Sequence, residues 1–560
     1  DKSIAIGHNA LLQQNFDGDA FNVAIGHEAG KLIITGIQNT LVGGLSGDAL
    51  TVGNNNVAVG YQSLGSETQG DRNVAIGHQA LRDQNNTSST DVYNTAVGYG
   101  AGVQITTGQY NTILGALAGD AFTTGSRNVA VGMGALSAED TGGKNVAVGW
   151  YALLNQNYNG DAYNVAIGYE AGNDITTGIN NTIVGGLAGD ALTVGERNTV
   201  LGYAALSADD TGGNNTAVGH RALSELNYDG NGYNTALGSD AGRKVSTGVE
   251  NVLIGAQAGD ALTTGSRNVV IGTYALSNEN EHGNNVAIGW KALQDQDAGA
   301  DAYNVAIGYE AGKEITTGAS NILVGYAGRA LTTGGRNVAI GHLALNQEDA
   351  HGKNVAIGFY ALQSQNAGAD AYNVAIGYDA GKSVTTGSFN TIIGGQAGDA
   401  LTTGDNNVAL GYNALTSVQE DSRNTAIGRG TLAAQNGAGT AYNTALGYHA
   451  GAAVTTGVRN TLVGSLAGDA LTTGHYNVAV GYTALGAEDG NGRNTAIGYA
   501  ALSTQNAGAD AHNVAVGFEA GLSVTTGIYN TLVGSLAGDA LTTGNNNVVM
   551  GYEALSTEDT

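Results

Sequence analysis

One pentapeptide, Asn-x-(small or aliphatic)-aliphatic-Gly, recurs from one end of this chain to the other and leaves little room for any fold but a stacked one. It reads Asn128-Val129-Ala130-Val131-Gly132 and returns at Asn145, Asn164, Asn181 and Asn198, in steps of 17, 19, 17 and 17. There are 32 copies, from Ser3-Ile4-Ala5-Ile6-Gly7 to Asn547-Val548-Val549-Met550-Gly551. Asn opens all but the first, and Gly closes every one. Four copies make a longer repeat of about 70 residues. It is marked by Asp48, Asp120, Asp190, Asp260, Asp399, Asp469 and Asp539, each following a Gly. At the remaining place stands Arg329, in a coil one residue short. Eight such blocks fill the chain (1–70, 71–142, 143–212, 213–282, 283–351, 352–421, 422–491 and 492–560), so residues 1–560 read as one continuous repeat domain.

A period near 17 is too short for a helix-turn-helix repeat and fits one coil of a β-solenoid. Large and small residues alternate within Asn-Val-Ala-Val-Gly, the two-residue period of a strand, and the β-branched bias agrees. A second short segment follows the Gly, such as Tyr203-Ala204-Ala205-Leu206, and then a polar turn of the Ile-Thr-Thr-Gly type. Each coil therefore reads as two short strands joined by a Gly bend and a longer loop, giving an all-β, parallel β-solenoid. At the usual strand spacing of roughly 4.8 Å, 32 coils would extend on the order of 150 Å. The chain has no Pro, as expected where every strand donates its N–H to a neighbouring coil.

Position parity divides each motif into two faces. Val129 and Val131 are expected to fill the space between the two strands. Asn128, Ala130 and Gly132 are expected to form an outer face of small residues, open to close approach by another backbone. In the third coil of each block the middle residue is large (Leu41, Ile113, Ile183) and the residue after Gly is small (Gly44, Ala116, Gly186). This size exchange suggests that both positions border one interface between identical chains.

Composition removes several function classes. Against 21 Lys and Arg stand 48 Asp and Glu, a net charge of −27 with no basic run. Neither nucleic acid nor an anionic membrane surface suits such a chain. No apolar stretch is long enough to span a bilayer as a helix, so no membrane insertion by this segment is expected. There is no Cys, hence no disulfide and no thiolate metal site. The first residues, Asp1-Lys2-Ser3, do not resemble a signal peptide. The chain opens two residues before its first motif and stops inside a turn at Glu558-Asp559-Thr560, and reads as a slice of something longer.

Ser3-Ile4-Ala5-Ile6-Gly7 and Asn22-Val23-Ala24-Ile25-Gly26 resemble the head repeats of YadA-like trimeric autotransporter adhesins. Asn94-Thr95-Ala96-Val97-Gly98-Tyr99 and Asn494-Thr495-Ala496-Ile497-Gly498-Tyr499 resemble runs in the repeat shafts of phage tail fibres. The resemblance covers the whole chain. It implies a left-handed parallel β-roll assembled as a homotrimer, outside the cell, on a bacterial surface or a virion. It transfers no ligand-binding residue. The coils, at about 17 residues each, are longer than those usual for the adhesins. No heptad stalk, membrane anchor or chaperone domain is present.

The strongest chemical signal is structural. Stacked Asn amides, as at Asn128, Asn145, Asn164, Asn181 and Asn198, can hydrogen-bond from coil to coil. The Asp190 row recurs only every fourth coil, roughly 19 Å apart, too far to share an ion, and the Gly-Gly-x-Gly-x-Asp calcium nonapeptide is missing. Glu139-Asp140 and Asp209-Asp210 read as turn residues. Five of the ten His residues occupy the slot after Gly that Tyr usually holds, a packing substitution rather than a ligand set. No nucleophile, base and orienter gather anywhere, so no catalytic site, metal or cofactor is expected. Asn85-Asn86-Thr87 matches a glycosylation sequon at chance level. The aromatics Tyr61, Trp150, Tyr203 and Trp290 are expected to pack at a surface or interface. The sequence thus points to the shaft or head of a fibre, with its own copies and a host-surface or glycan receptor as partners. The rival reading is a binding module that recognises glycan, matrix protein or ice through its flanks.

Overall fold

The structure, a computed structural model, describes residues 2–437 and 439–557. Asp1 and the Glu558-Asp559-Thr560 turn lie outside the described residues. The chain forms two compact units, Asp1–Gly283 and Asn284–Thr560. Their division falls one residue into the fifth sequence block. The first unit carries strands β1 (Ile4–Ile6) to β16 (Val269–Ile271), and the second β17 (Val286–Ile288) to β32 (Val548–Met550). Every strand has three residues, and there is no helix among the described residues. Within each unit every strand pairs in parallel with the next, in unbroken register: Val129 opposite Val146, Ala130 opposite Ala147, Val131 opposite Val148. The fold is a parallel β-solenoid of about 17 residues per turn.

One part of the expected coil is different. There is one strand per coil, not two. Counting from the motif Asn as position 1, the segment after the Gly carries positive φ at positions 7 and 9, as at Ala204 (50°) and Leu206 (50°). Alternation with ordinary backbone turns successive N–H groups up and down the stack. The Leu187 N–H donates to the Tyr169 carbonyl of the preceding coil at 2.9 Å, and the Gly189 N–H to the Ala205 carbonyl of the following coil at 2.9 Å. The second segment is therefore stacked and bonded like a strand while following a turning path. Among the described positive-φ residues other than Gly, only Thr483 is β-branched, consistent with the steric cost of that backbone beside a branched Cβ.

The faces are also reversed. Ala130, Ala147 and Ala166 at position 3 are fully buried, as are Asn145 and Asn164 at position 1. Val129 and Val131 are partly exposed on the outside. A two-residue period gives two faces without saying which is inside. Here position 3 lines the strand side of the core, mostly as Ala and in some coils as Leu, Ile or Val, such as Ile183 and Val200. The remaining volume comes from positions 9 and 12. In half of the coils position 9 is Leu, as at Leu153, with Gln or an acid usually at position 12, as at Gln156. In the others, except the short coil at Arg329, position 9 is Gly and position 12 is apolar, as at Gly172 and Ile175. A Cβ on Gly172 would crowd Ile175, Ile183 and Leu153. The large third-coil residues Leu41, Ile113 and Ile183 are themselves fully buried, while the small residues after the Gly (Gly44, Ala116, Gly186) lie on the outer side, so the two positions do not border one surface. The Gly at position 5 is required by close approach. A Cβ on Gly132, at φ 133°, would collide with the Gly149 carbonyl of the next coil.

Candidate functional site

The Asn row sits inside, where an amide such as that of Asn181 serves two partners. The Asn181 N–H donates to Asn164 Oδ1 at 2.8 Å, and Asn198 repeats this toward Asn181 Oδ1 at 2.9 Å. Asn181 Nδ2 donates to the Gly195 carbonyl of its own coil at 2.8 Å. Asn128 and Asn145 belong to the same row, the Asn145 N–H donating to Asn128 Oδ1 at 2.9 Å. The side chain thus links one coil to the next and closes its own coil, which needs an acceptor and a donor on one short side chain.

Outside, four positions face solvent in every coil: 2 and 4 of the strand, 6 beyond the Gly bend, and the last residue of the preceding coil. Positions 2 and 4 are aliphatic or Thr, and Leu201, Leu237 and Ile167 are exposed large examples. Position 6 carries the aromatics singled out in the sequence. Tyr61 stacks on His78 at 5.5 Å, and His78 on Tyr99 at 5.3 Å. Trp150 meets Tyr169 edge-on at 5.4 Å, Tyr203 stacks on His220 at 5.6 Å, and Trp290 on Tyr309 at 4.9 Å. Tyr61, Trp150, Tyr203 and Trp290 each keep more than a third of their surface exposed.

A second ladder, which the sequence reading missed, lines the opposite margin at the residue preceding each Asn. Tyr372 stacks on Phe389 at 5.4 Å, and Arg423, Tyr442, Arg459, Tyr476 and Arg493 alternate with each guanidinium over a ring. Eleven of the 21 Lys and Arg residues stand in this row. Its signal was the aromatic or basic residue that so often precedes the motif Asn.

Carboxylates are also placed in ways the sequence did not indicate. Glu139 and Asp209 are not surface turn residues; both are fully buried at position 12 of the fourth coil of their blocks. Burial pushes Glu139 up to about 7 and Asp209 to about 6. Asp190 is half-buried and pushed to about 6, chiefly by burial, with Asp174 and Glu170 adding repulsion. At the equivalent place Arg329 pairs with Glu310 at 3.1 Å and Glu314 at 3.3 Å.

Two groups of ligand-type atoms converge among the described residues, His8/His27/Glu28 and Glu348/Asp349/His351. The first is explained by ring stacking of His8 on His27 at 5.3 Å and an ion pair of Glu28 with Lys31. In the second, Glu348 Oε1 already accepts the His351 N–H at 3.1 Å. A surface groove of about 300 Å³ is lined by Thr333, Arg336, Lys353 and Asp370 among others. Its Lys353 is committed to Asp370 at 2.6 Å and to Tyr372 Oη at 2.8 Å. No helix among the described residues is long and apolar enough to cross a membrane. No protein-family model matches the chain, and no curated protein matches it.

Proposed function

We propose that this chain is the repeat shaft of an extracellular homotrimeric fibre, on a bacterial surface or a virion, that spaces and presents a binding tip. The observation that carries this reading is the outer face, an apolar strip with a ring ladder along one margin and a ring-and-cation ladder along the other. The exposed positions 2 and 4 recur in every coil, and the ladders run beside them with gaps at the small residues of the third coils, such as Gly44 and Gly186. A strip about 15 Å wide at roughly 4.8 Å per coil offers on the order of 1,100 Å² over the coils of one unit. A stable interface needs about 800 Å² per partner. A second copy of the same chain matches the coil pitch along the whole strip, which an unrelated globular partner does not. The two margins differ, one rich in cations and the other bearing Glu28, Glu170 and Glu519 at position 7. Unlike margins favour cyclic, head-to-tail closure over a two-fold pair.

The alternative, a module that binds glycan or ice through its flanks, has less support. Most of the ring pairs stack along the axis, as Tyr482 on Tyr499 and Tyr499 on Phe518, so the edges of those rings rather than their faces point outward. Thr hydroxyls of the Thr-Thr-Gly turns donate to the next coil, as Thr176 Oγ1 does to the Thr193 carbonyl at 3.2 Å. The test is titration of this chain against glycan arrays, matrix proteins and ice. Inert behaviour is expected from a shaft, and specific, saturable binding would replace the reading with the module.

A further inference from the structure

The joints between four-coil blocks have a composition of their own. The fourth coil of every block but the sixth, which has Val418, places an acid at position 12, and the first coil of the next block is longer and usually places Gln there. Glu139 is followed by Gln156, Glu348 by Gln365, and Glu488 by Gln505. All six side chains are fully buried. No Lys or Arg contacts any of the three acids among the described ion pairs, although burying an unpaired carboxylate is costly.

The joints differ in how many donors meet the acid. Glu67 accepts from the N–H groups of Gln69, Gly70 and Asn86, from Gln84 Nε2 and from Asn86 Nδ2. Glu139 has only the Gly142 N–H at 2.7 Å and a long contact of 3.4 Å from the Tyr158 N–H. At Glu348 and Glu488, Oε2 has no hydrogen-bond partner of normal geometry. The cause is local. In a coil of ordinary length the motif Asn amide reaches the Gly carbonyl 14 residues on, as from Asn128 to Gly142. In the longer joint coils that bond is lost, and Nδ2 of Asn145, Asn354 and Asn494 is left without a partner. The joint trades a closed polar network for an enclosed acid with too few donors.

We propose that the donor-poor joints are proton-binding sites: Glu139, Glu348 and Glu488 are carried as neutral carboxylic acids inside the solenoid, and the stack loosens at these joints when they ionise. The charges facing each acid are few. Asp140 acts on Glu139, Asp489 on Glu488, and Asp349 and His351 on Glu348. Only His351 favours ionisation. Burial raises all three, Glu139 and Glu348 to about 7. A carboxyl raised on folding stabilises fully below its ordinary value near 4.5, and that contribution is lost as pH rises through about 7.

Hydrogen exchange on the full-length chain, corrected for intrinsic rates, tests this at pH 5.5 and pH 8. Protection of the Gly142 and Tyr158 amides, relative to mid-block amides such as Thr182, is expected to fall at least tenfold at the higher pH. The triple variant Glu139→Gln, Glu348→Gln, Glu488→Gln should hold its protection at both pH values. Glu67→Gln, which sets an amide among five donors, should lose protection at both. An infrared band of protonated carboxyl at pH 6, assigned by isotope-labelled Glu, needs no variant and is expected in the wild type. A pH-independent protection ratio, an equal loss in the triple variant, or absence of that band would overturn the proposal.

Discussion

Asn181 shows how much of this fold rests on single side chains. Its Oδ1 accepts from the next coil and its Nδ2 donates within its own. Replacing it with Asp keeps the acceptor and turns the donor into an oxygen facing the Gly195 carbonyl. Replacing it with Ala leaves both partners unpaired in the buried interior. Each buried group left unsatisfied costs about 1–3 kcal/mol, so Asn181→Ala should destabilise by about 2–5 kcal/mol and Asn181→Asp by at least as much. Urea unfolding of the two variants against wild type checks this; a loss under about 1 kcal/mol, the low end of that range, would mean that the row is decorative. The row could be read from the sequence because one residue type occupies one position almost without exception. The joint acids were not legible as buried, since Glu139-Asp140 in a Gly-rich stretch has the composition of a solvated turn. The available signal was the recurrence of Leu-x-x-Glu, Leu136 to Glu139 and Leu485 to Glu488, in six of the eight blocks.

At the scale of the coil, position 9 and position 12 act as a pair. Gly172→Leu alone places a side chain against Ile175, Ile183 and Leu153 and should cost about 1–3 kcal/mol by overpacking. Ile175→Gln alone leaves a void and an unpaired amide, costing about 2–5 kcal/mol. Together they convert the coil to the Leu-and-Gln kind already present at Leu153 and Gln156, so the double variant should lose less than the two single losses added. A double-mutant cycle on melting reads this directly, and strict additivity would refute the paired packing. Ala130→Leu, on the fully buried side of the strand, should disrupt the coil itself. The coil period, the strand and the parallel stacking were all legible from spacing. The inward face was not, because alternation is symmetric, and the eye places Val inside and Ala outside by size. What decides the matter is the bulky Ile183 set at the same parity as Ala, opposite a Gly that makes room for it. The second segment was misread as strand because composition does not show the sign of φ. The near-absence of β-branched residues at positions 7 and 9 was the missed clue.

At the scale of the molecule, the exposed strip is the feature that a lone chain explains least well. Leu201, Leu237 and Ile167 lie on it, pointing away from the core. Changing these three to Lys should abolish association while leaving the β-sheet circular-dichroism signal and the coil stacking in place, because none of them fills the interior. Loss of the folded signal together with association would assign the strip a role in the coil instead. The most direct test is the mass of the wild-type chain in solution, measured by light scattering over a range of concentrations. Association through the strip into a closed cyclic fibre predicts a folded species at three times the 56.1 kDa of one chain, collapsing to a single folded chain in the triple Lys variant. A stable, folded wild-type monomer at 56.1 kDa would contradict it.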